Sequence, residues 1–444
     1  MRDFKDKSVL IFGLGLNMGG VGSAKFFASN RAKVRVTDLK SADILKSSIE
    51  ELKDFPDIEY TLGEHKNEDI DWADIIIRNP AIKDNNPYLE YARKLGKKIE
   101  TDFSIFLEYV DQKKIIAITG TKGKSTTASL IYEVIKASGK NVVFAGNIGK
   151  SILEIIPYLG KDPWVIVEIS SFQLQLLNNK GFAPKIAVIT NIYPDHLNWH
   201  SSMEEYAAAK KSIAANQSDS DYLIIGCDID SKTAEDVKSK ILQSCGEDFM
   251  EDFLIYYPRI DFLPLKGSAN LDNYAAATTV CEILEISKGE IFKSFQNFKG
   301  APFRMQEIGE FNGIKIINDS TATNPVPTIK ALQTVGPCLL IAGGMNKGLE
   351  YHKLAAEIEN GNVKALYLLK GDATSELQKY IRNTSLIKGK GLYDNLEELL
   401  IELKKEAKTG DTILFSPGAT SFNLFQNEFD RGRKFNEAVQ KVFK

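Results

Sequence analysis

Short apolar runs, each ending in glycine or polar residues and leading into a stretch with helical spacing, recur along most of the chain. They fall at 7–13, 33–38, 73–80, 115–119, 141–146, 164–168, 186–190 and 222–226, and again at 314–318, 338–344, 365–371 and 412–418. Continuous apolar runs bounded by turn residues mark strands buried on both faces, and their alternation with helices predicts parallel sheets in an α/β fold. Tyr109-Val-Asp-Gln-Lys-Lys114 separates a first such pattern from a second, and Ala301-Pro-Phe-Arg304 the second from a third. Three domains are predicted: 1–108, Rossmann-like; 109–301, central; and 302–444, again Rossmann-like. The stretch from Asp228 to Asp252 is charged and reads as exposed surface.

The central domain opens on Ile115-Ile-Ala-Ile-Thr119-Gly120-Thr121-Lys122-Gly123-Lys124-Ser125-Thr126. An apolar strand, a glycine-containing turn and a helix start bring backbone N–H groups and the positive helix end onto phosphate oxygens. Lys124 would neutralise the β/γ-phosphates and the hydroxyl of Ser125 or Thr126 would reach Mg²⁺, which makes this a P-loop ATPase-type domain. Ile118 occupies the first glycine of the longer G-x-x-x-x-G-K-[ST] pattern, so the shorter G-T-x-G-K-S-T form is the one matched. The plain alternative is an ordinary βα turn that carries a lysine.

Upstream, Gly13-Leu-Gly15-Leu16-Asn17-Met-Gly19-Gly-Val-Gly22 is a glycine turn into a helix, and the second strand ends in Asp38. Such a turn admits a diphosphate to the backbone while the acid accepts ribose or base donors. Met18 breaks strict G-x-G-x-x-G, so a nicotinamide cofactor and a nucleotide-sugar diphosphate are both compatible. Downstream of the phosphate loop, strands end in Asn147, in Glu168 with Ser170, and in Asp195 with His196, all aimed at the crevice where open α/β sheets bind ligands. Glu168 suits Mg²⁺, which prefers carboxylate and phosphate oxygens. His196 alone reads equally as a hydrogen-bonded loop residue, and Lys210, next to Lys211 on a helix, as a solvated lysine or a phosphate contact. Asn270 and Asn273, one helical turn apart, could cap locally or touch a base.

With 43% hydrophobic and 26% charged residues in 444, the composition is that of a soluble protein. No apolar run approaches the ~20 residues of a membrane helix, and the first residues lack the apolar core of a signal peptide, so a cytoplasmic protein with no membrane partner is expected. A formal net charge of −3 argues against a nucleic-acid partner. Cys227, Cys245, Cys281 and Cys338 form no C-x-x-C pair and are expected as reduced, buried thiols.

Taken together, Gly120-Thr-Lys-Gly-Lys-Ser-Thr126, Glu168-Ile-Ser-Ser-Phe-Gln-Leu174, Asn191-Ile-Tyr-Pro-Asp-His196, Phe303-Arg304-Met, Asn318-Asp-Ser and Ser416-Pro-Gly resemble the Mur ligases over essentially the whole chain. The resemblance implies an ATP-dependent amide ligase of cell-wall precursor synthesis, working on small molecules and monomeric. Its nearest form adds D-glutamate to UDP-N-acetylmuramoyl-L-alanine; another Mur ligase or a folylpolyglutamate synthase-like ligase is the alternative. It assigns Gly15, Leu16, Asn17 and Asp38 to the uridine diphosphate, with Asn147 and Ser170 on the rest of that substrate. ATP falls to Gly120, Thr121, Lys122, Gly123, Lys124, Ser125 and Thr126, with Asn270 and Arg304. Ser125, Glu168, His196 and Lys210 would surround two magnesium ions, the lysine as a carbamate, and Lys124, His196 and Lys210 carry catalysis. Thr323, Lys347 and Ser421 would hold the amino acid. This chain departs from the family pattern in two extra residues in the first turn, and in Ala269, Thr321 and Glu428, where histidine, lysine and phenylalanine are common.

Overall fold

The computed structural model describes residues 3–16, 19–145, 151–196, 199–230, 236–257, 263–265 and 268–444. The chain forms two compact units, Met1–Phe298 and Lys299–Lys444. The first unit holds two parallel sheets and the second holds one mixed sheet.

In the first sheet, β1 (Ser8–Phe12), β2 (Lys33–Asp38), β3 (Glu59–Leu62), β4 (Ile75–Arg78) and β5 (Lys98–Glu100) lie in the order β3-β2-β1-β4-β5. The order reverses at β1, which opens a crevice at the carboxyl ends of β1 and β4. The glycine turn leaves β1 into the helix Gly19–Ser29. Gly20 is required there: a Cβ would lie 2.3 Å from the Leu14 carbonyl oxygen.

The second sheet comprises β6 (Ile115–Thr119), β7 (Val142–Ala145), β8 (Trp164–Glu168), β9 (Ile186–Ile189), β10 (Tyr222–Gly226) and β11 (Lys240–Ser244), in the order β11-β10-β9-β6-β8-β7. Here β6 is the switch strand, with β8 on one side and β9 on the other. All five residues of β6 are buried, as the continuous apolar run requires. One core runs from the first sheet into the second, with Phe103 set edge-on to Phe182 at 5.3 Å, which is why the two sheets form one unit.

In the second unit, β12 (Gln306–Phe311) pairs antiparallel with β13 (Ile314–Asn318), and β14 (Cys338–Gly343), β15 (Val363–Leu369), β16 (Ile387–Tyr393) and β17 (Thr412–Phe415) complete the order β12-β13-β17-β14-β15-β16. Two apolar clusters cover its faces.

Two expectations need correction. The stretch from Asp228 to Asp252 contains β11 and the start of the helix Gly246–Tyr256, whose Phe249 and Phe253 are buried against Tyr274, Phe292 and Phe295. Its charges occupy the other face of that helix, so a high charge count concealed an amphipathic element. Cys227 and Cys245 are not separate thiols but are joined in a disulfide, Cα atoms 5.1 Å apart. Gly226 of β10 pairs with Ser244 of β11, and the next residue on each strand is the cysteine. Cys281 and Cys338 are free and buried as expected; burial pushes the Cys338 thiol up to about 12.

Candidate active site

The loop after β6 takes the conformation that its glycines permit. Gly120 and Gly123 have φ of 148° and 84°, and added Cβ atoms would lie 1.9 Å from Thr190 Oγ1 and 2.2 Å from Asn273 Oδ1. Gly123 caps the helix Lys124–Ala137, so Lys124, Ser125 and Thr126 form its first turn, where N–H groups lack helical partners. The strand on the far side holds the loop: Thr121 N–H donates to the Asn191 carbonyl at 3.0 Å, Lys122 N–H to Asn191 Oδ1 at 2.8 Å, and Thr190 Oγ1 to the Lys122 carbonyl at 2.6 Å. Thr127 Oγ1 donates to Asn273 Oδ1 at 3.2 Å, and Asn273 Nδ2 to Asn270 Oδ1 at 3.2 Å, which ties Asn270 to the loop through one intermediary.

Two lysines converge on one carbonyl. Lys124 Nζ donates to Gly120 O at 2.9 Å, and Lys210 Nζ, from the helix Met203–Lys211, donates to the same oxygen at 2.8 Å. Lys210 is 2% exposed, with Nζ 4.5 Å from the centre of the Tyr206 ring. Burial and then the charge of Lys124 pull its pKa down to about 7, against the pull of Asp195. At neutral pH a substantial fraction of Lys210 is therefore the free amine.

Glu168 ends β8, beside Ile118 of β6. It is 3% exposed, and its Oε2 is buried without a hydrogen-bond partner. A buried carboxylate oxygen in that state lacks the cation or donor that would offset its desolvation. His196 follows β9 on the other side of β6, with φ of 54°. Burial, and the charges of Lys210, Lys124 and Lys122, hold its imidazole below the usual range despite Asp195, so it is neutral at pH 7. Its ring is caged by aromatics, edge-on to Phe172 at 5.0 Å and 6.2 Å from Tyr206. A cleft of about 860 Å³, lined by Arg78, Lys83, Glu100, Phe172, Trp199 and His200 among others, opens beside this cage between the first two sheets.

The second unit has its own crevice at the ends of β13, β14 and β17. Asp319, after β13, accepts from Ser416 Oγ at 2.8 Å and from Met305 N–H at 3.1 Å, and burial raises its pKa to about 6. Arg431 is fully buried, with Nε 3.0 Å from Ser320 Oγ, Nη1 3.0 Å from the Ala419 carbonyl and Nη2 2.6 Å from the Ser320 carbonyl. It thus staples together the turns that carry Thr323 and Ser421. Ser421 Oγ is buried without a partner, and Lys347 Nζ lies 5.2 Å over the Phe422 ring.

Three family models cover the chain in succession: the N-terminal domain of MurD-like Mur ligases at residues 7–101, the Mur ligase middle domain at 118–281, and the glutamate ligase domain of Mur ligases at 303–418. The UDP-N-acetylmuramoylalanine--D-glutamate ligase of Roseiflexus is 36% identical over 98% of both chains, and that of Borreliella afzelii is 36% identical over 100% of this chain and 99% of its own. The chain belongs to the Mur ligase family. The fold agrees: UDP-N-acetylmuramate-alanine ligase MurC from Thermotoga maritima superposes with a TM-score of 0.56 at 19% identity, covering 98% of this chain and 99% of its own.

Of the residues that the Mur ligase resemblance singled out, the structure gathers Gly120 to Thr126, Lys210 and His196 around the end of β6, with Glu168 at the end of the strand alongside. Asp38 is 5% exposed and spends its oxygens locally, accepting from Gly15 N–H and Lys40 N–H at 2.9 Å each, so it shapes the glycine turn that includes Leu16. Ser170 caps the helix Ser171–Leu177 in a reciprocal pair with Gln173. Asn17 and Asn147 lie outside the described residues. Arg304, Thr323, Lys347 and Ser421 belong to the second unit. Thr321 sends both its N–H and Oγ1 to the Phe303 carbonyl at 3.0 Å, closing the turn that carries Arg304.

Sequence reasoning passed over Arg431 and His200. Arg431 lies on an amphipathic helix, Glu428–Phe443, where an arginine reads as solvated. His200 is 1% exposed, stacks on Phe172 and meets Ser171 Oγ at 2.9 Å through Nε2, so it backs the cage around His196. Its one available signal was its place four residues after His196.

Proposed function

We propose that this Mur ligase couples ATP hydrolysis to the addition of D-glutamate to UDP-N-acetylmuramoyl-L-alanine. The observation that carries the reading is the convergence of Lys124 and Lys210 on the Gly120 carbonyl, beside a buried glutamate with an unpaired oxygen. A carboxylate is a poor acyl donor and repels a triphosphate; a site that joins them has to supply cations and preorganised N–H groups rather than a nucleophile. In the reaction, a substrate carboxylate oxygen attacks the γ-phosphorus and the bond to ADP breaks. The amine of the amino acid then attacks the acyl carbon, phosphate leaves, and the nitrogen loses a proton.

Lys124 and the loop N–H groups balance the triphosphate charge, and Asn270 with Arg304 serve the rest of the nucleotide. The glycine turn, Asp38 and Ser170 serve the uridine diphosphate substrate, and Thr323, Lys347 and Ser421 the amino acid. Among the described residues no three His, Cys, Asp or Glu side chains converge. The unpaired Glu168 oxygen nonetheless fits a magnesium ion, whose other protein donors would be Ser125, neutral His196 and Lys210. Magnesium would lower the charge repulsion between the carboxylate and the triphosphate. An ammonium at Lys210 would oppose it, whereas the amine that the site favours reacts with CO₂, loses a proton and becomes a carbamate anion. The reading is tested by ADP release from ATP and UDP-N-acetylmuramoyl-L-alanine across a panel of amino acids. D-glutamate is expected to stimulate release most; stimulation by another amino acid alone would replace the acceptor, and none at all would remove the activity.

A further inference from the structure

Cys227 and Cys245 lie directly opposite one another where β10 and β11 end, a placement set by strand register rather than by loop conformation. Cα atoms 5.1 Å apart fall within the span that a disulfide bridges. Cys227 is exposed and Cys245 half-buried, so the pair is open to solvent thiols and disulfides, unlike buried Cys281 and Cys338.

Each cysteine is followed by a residue wired to the nucleotide loop. After Cys227 comes Asp228, whose carboxylate accepts from the Tyr193 hydroxyl. Tyr193 is bound through its own backbone to Thr121 of the loop: its N–H donates to Thr121 Oγ1 at 3.0 Å, and that hydroxyl lies 3.2 Å from its carbonyl. After Cys245 comes Gly246, whose N–H donates to Asp272 Oδ1 at 3.1 Å. Asp272 precedes Asn273, the residue against Gly123 and Thr127. A Cβ on Gly246 would stand 2.8 Å from Leu271 Cβ, so the helix start beside Cys245 fits closely on the helix that carries Asp272. Burial and then the charge of Asp228 push the Asp272 carboxyl up, which places the two acids in each other's field.

We propose that Cys227 and Cys245 form a reversible thiol–disulfide site for small-molecule disulfides, and that its oxidation weakens nucleotide binding at the loop. One cysteine thiolate attacks a sulfur of the small disulfide, expels one thiol and forms a mixed disulfide. The second thiolate attacks the protein-side sulfur and expels the other thiol. Two protein thiols are thus oxidised to one S–S bond while the small disulfide is reduced to two thiols. The bond fixes the end of β10 to the start of the helix Gly246–Tyr256, and so holds the carboxylates of Asp228 and Asp272 near a site for a polyanion. Reduction lets the strand end and the helix start move apart.

The functional consequence rests on reading the loop as a nucleotide site; the chemistry does not. The full chain is equilibrated with oxidised glutathione or with dithiothreitol. Non-reducing peptide mapping is combined with ATP binding, read by displacement of a fluorescent nucleotide, and with hydrogen exchange across residues 119–127. The oxidised protein is expected to yield a linked Cys227–Cys245 peptide, to leave Cys281 and Cys338 as thiols, to exchange differently across the loop, and to bind ATP at least about threefold more weakly, the scale of one screened charge contact. Cys227→Ser and Cys245→Ser should each bind like the reduced protein under both conditions. Absence of the linked peptide overturns the site, whereas a linked peptide with unchanged exchange and unchanged ATP binding overturns its coupling to the loop. Failure of both forms to bind ATP, with the peptide present, would instead remove the nucleotide reading and the proposed effect on it.

Discussion

Lys210 concentrates the chemistry of the site in a single amine. Burial and the neighbouring Lys124 bring its pKa to about 7, so the fraction available as amine rises as pH rises through that value. At limiting CO₂, activity is expected to climb between about pH 6 and 8 and to level off when CO₂ is saturating, because added CO₂ draws the amine into the carbamate. Lys210→Ala should lose at least about a hundredfold in turnover, as for loss of a preorganised charged group, and recover in part with a small carboxylate that enters the vacated space. Lys211→Ala should keep most activity. Normal turnover by Lys210→Ala would end the carbamate role. In the second unit Asp319 shows the opposite sign. Its folded pKa of about 6 lies above the ordinary 3.8, so the folded unit binds more protons than the unfolded chain between these values, and stability falls as pH rises through them. Relative to Asp319→Asn, the wild type should lose on the order of 2 kcal/mol between pH 4 and 7, measured by urea unfolding; parallel curves would refute the assignment. The residue type at both positions was visible in the sequence, but the shifts come from burial, and burial was not.

At the scale of elements, the loop after β6 depends on two glycines that do different things. Gly120 clears the Thr190 side chain, and Gly123 adopts the left-handed conformation that starts the helix Lys124–Ala137. An alanine at Gly123 would pay about 1–2 kcal/mol in backbone strain and would also drive its Cβ into Asn273, which is held by Thr127 and cannot swing aside freely. Gly123→Ala should therefore lower the melting temperature of the first unit and weaken ATP binding by about tenfold or more, on the same footing as other substitutions at strained positions. Unchanged ATP binding by calorimetry would show that the loop does not need this geometry. The motif itself was legible because strand, turn and helix follow one another within a few residues. The elements that brace it, β9 with Thr190 and Asn191 and the helix that carries Asn273, lie far along the chain, and no local pattern announces them.

At the scale of the whole molecule, the break at Phe298 and Lys299 separates two units that each close their own cores. Residues 299–444 bring a complete sheet, two apolar clusters and the buried Arg431 staple, so this segment expressed alone should unfold cooperatively in urea, and residues 1–298 should retain nucleotide binding. A non-cooperative transition for 299–444 would mean that its cores need the rest of the chain. The first two predicted domains share a continuous core, with Phe103 on Phe182, so no comparable cut is expected near residue 108.

The alternation of apolar runs and helical stretches determined the α/β class, the strands of the first two sheets apart from short ones such as β11, and the phosphate loop, because these depend on contacts between residues close in sequence. The same pattern placed polar residues at strand ends, which marked Glu168, His196 and the loop as a site. Only tertiary structure decided that Lys210 reaches the carbonyl that Lys124 holds, that Arg431 is buried, that the charged stretch after Asp228 hides an aromatic core face, and that Cys227 meets Cys245. Each of these depends on which strands become neighbours, and neighbour choice is set by the packing of sheets and helices over long separations along the chain, where loop closure and burial of the shared core outweigh any local preference.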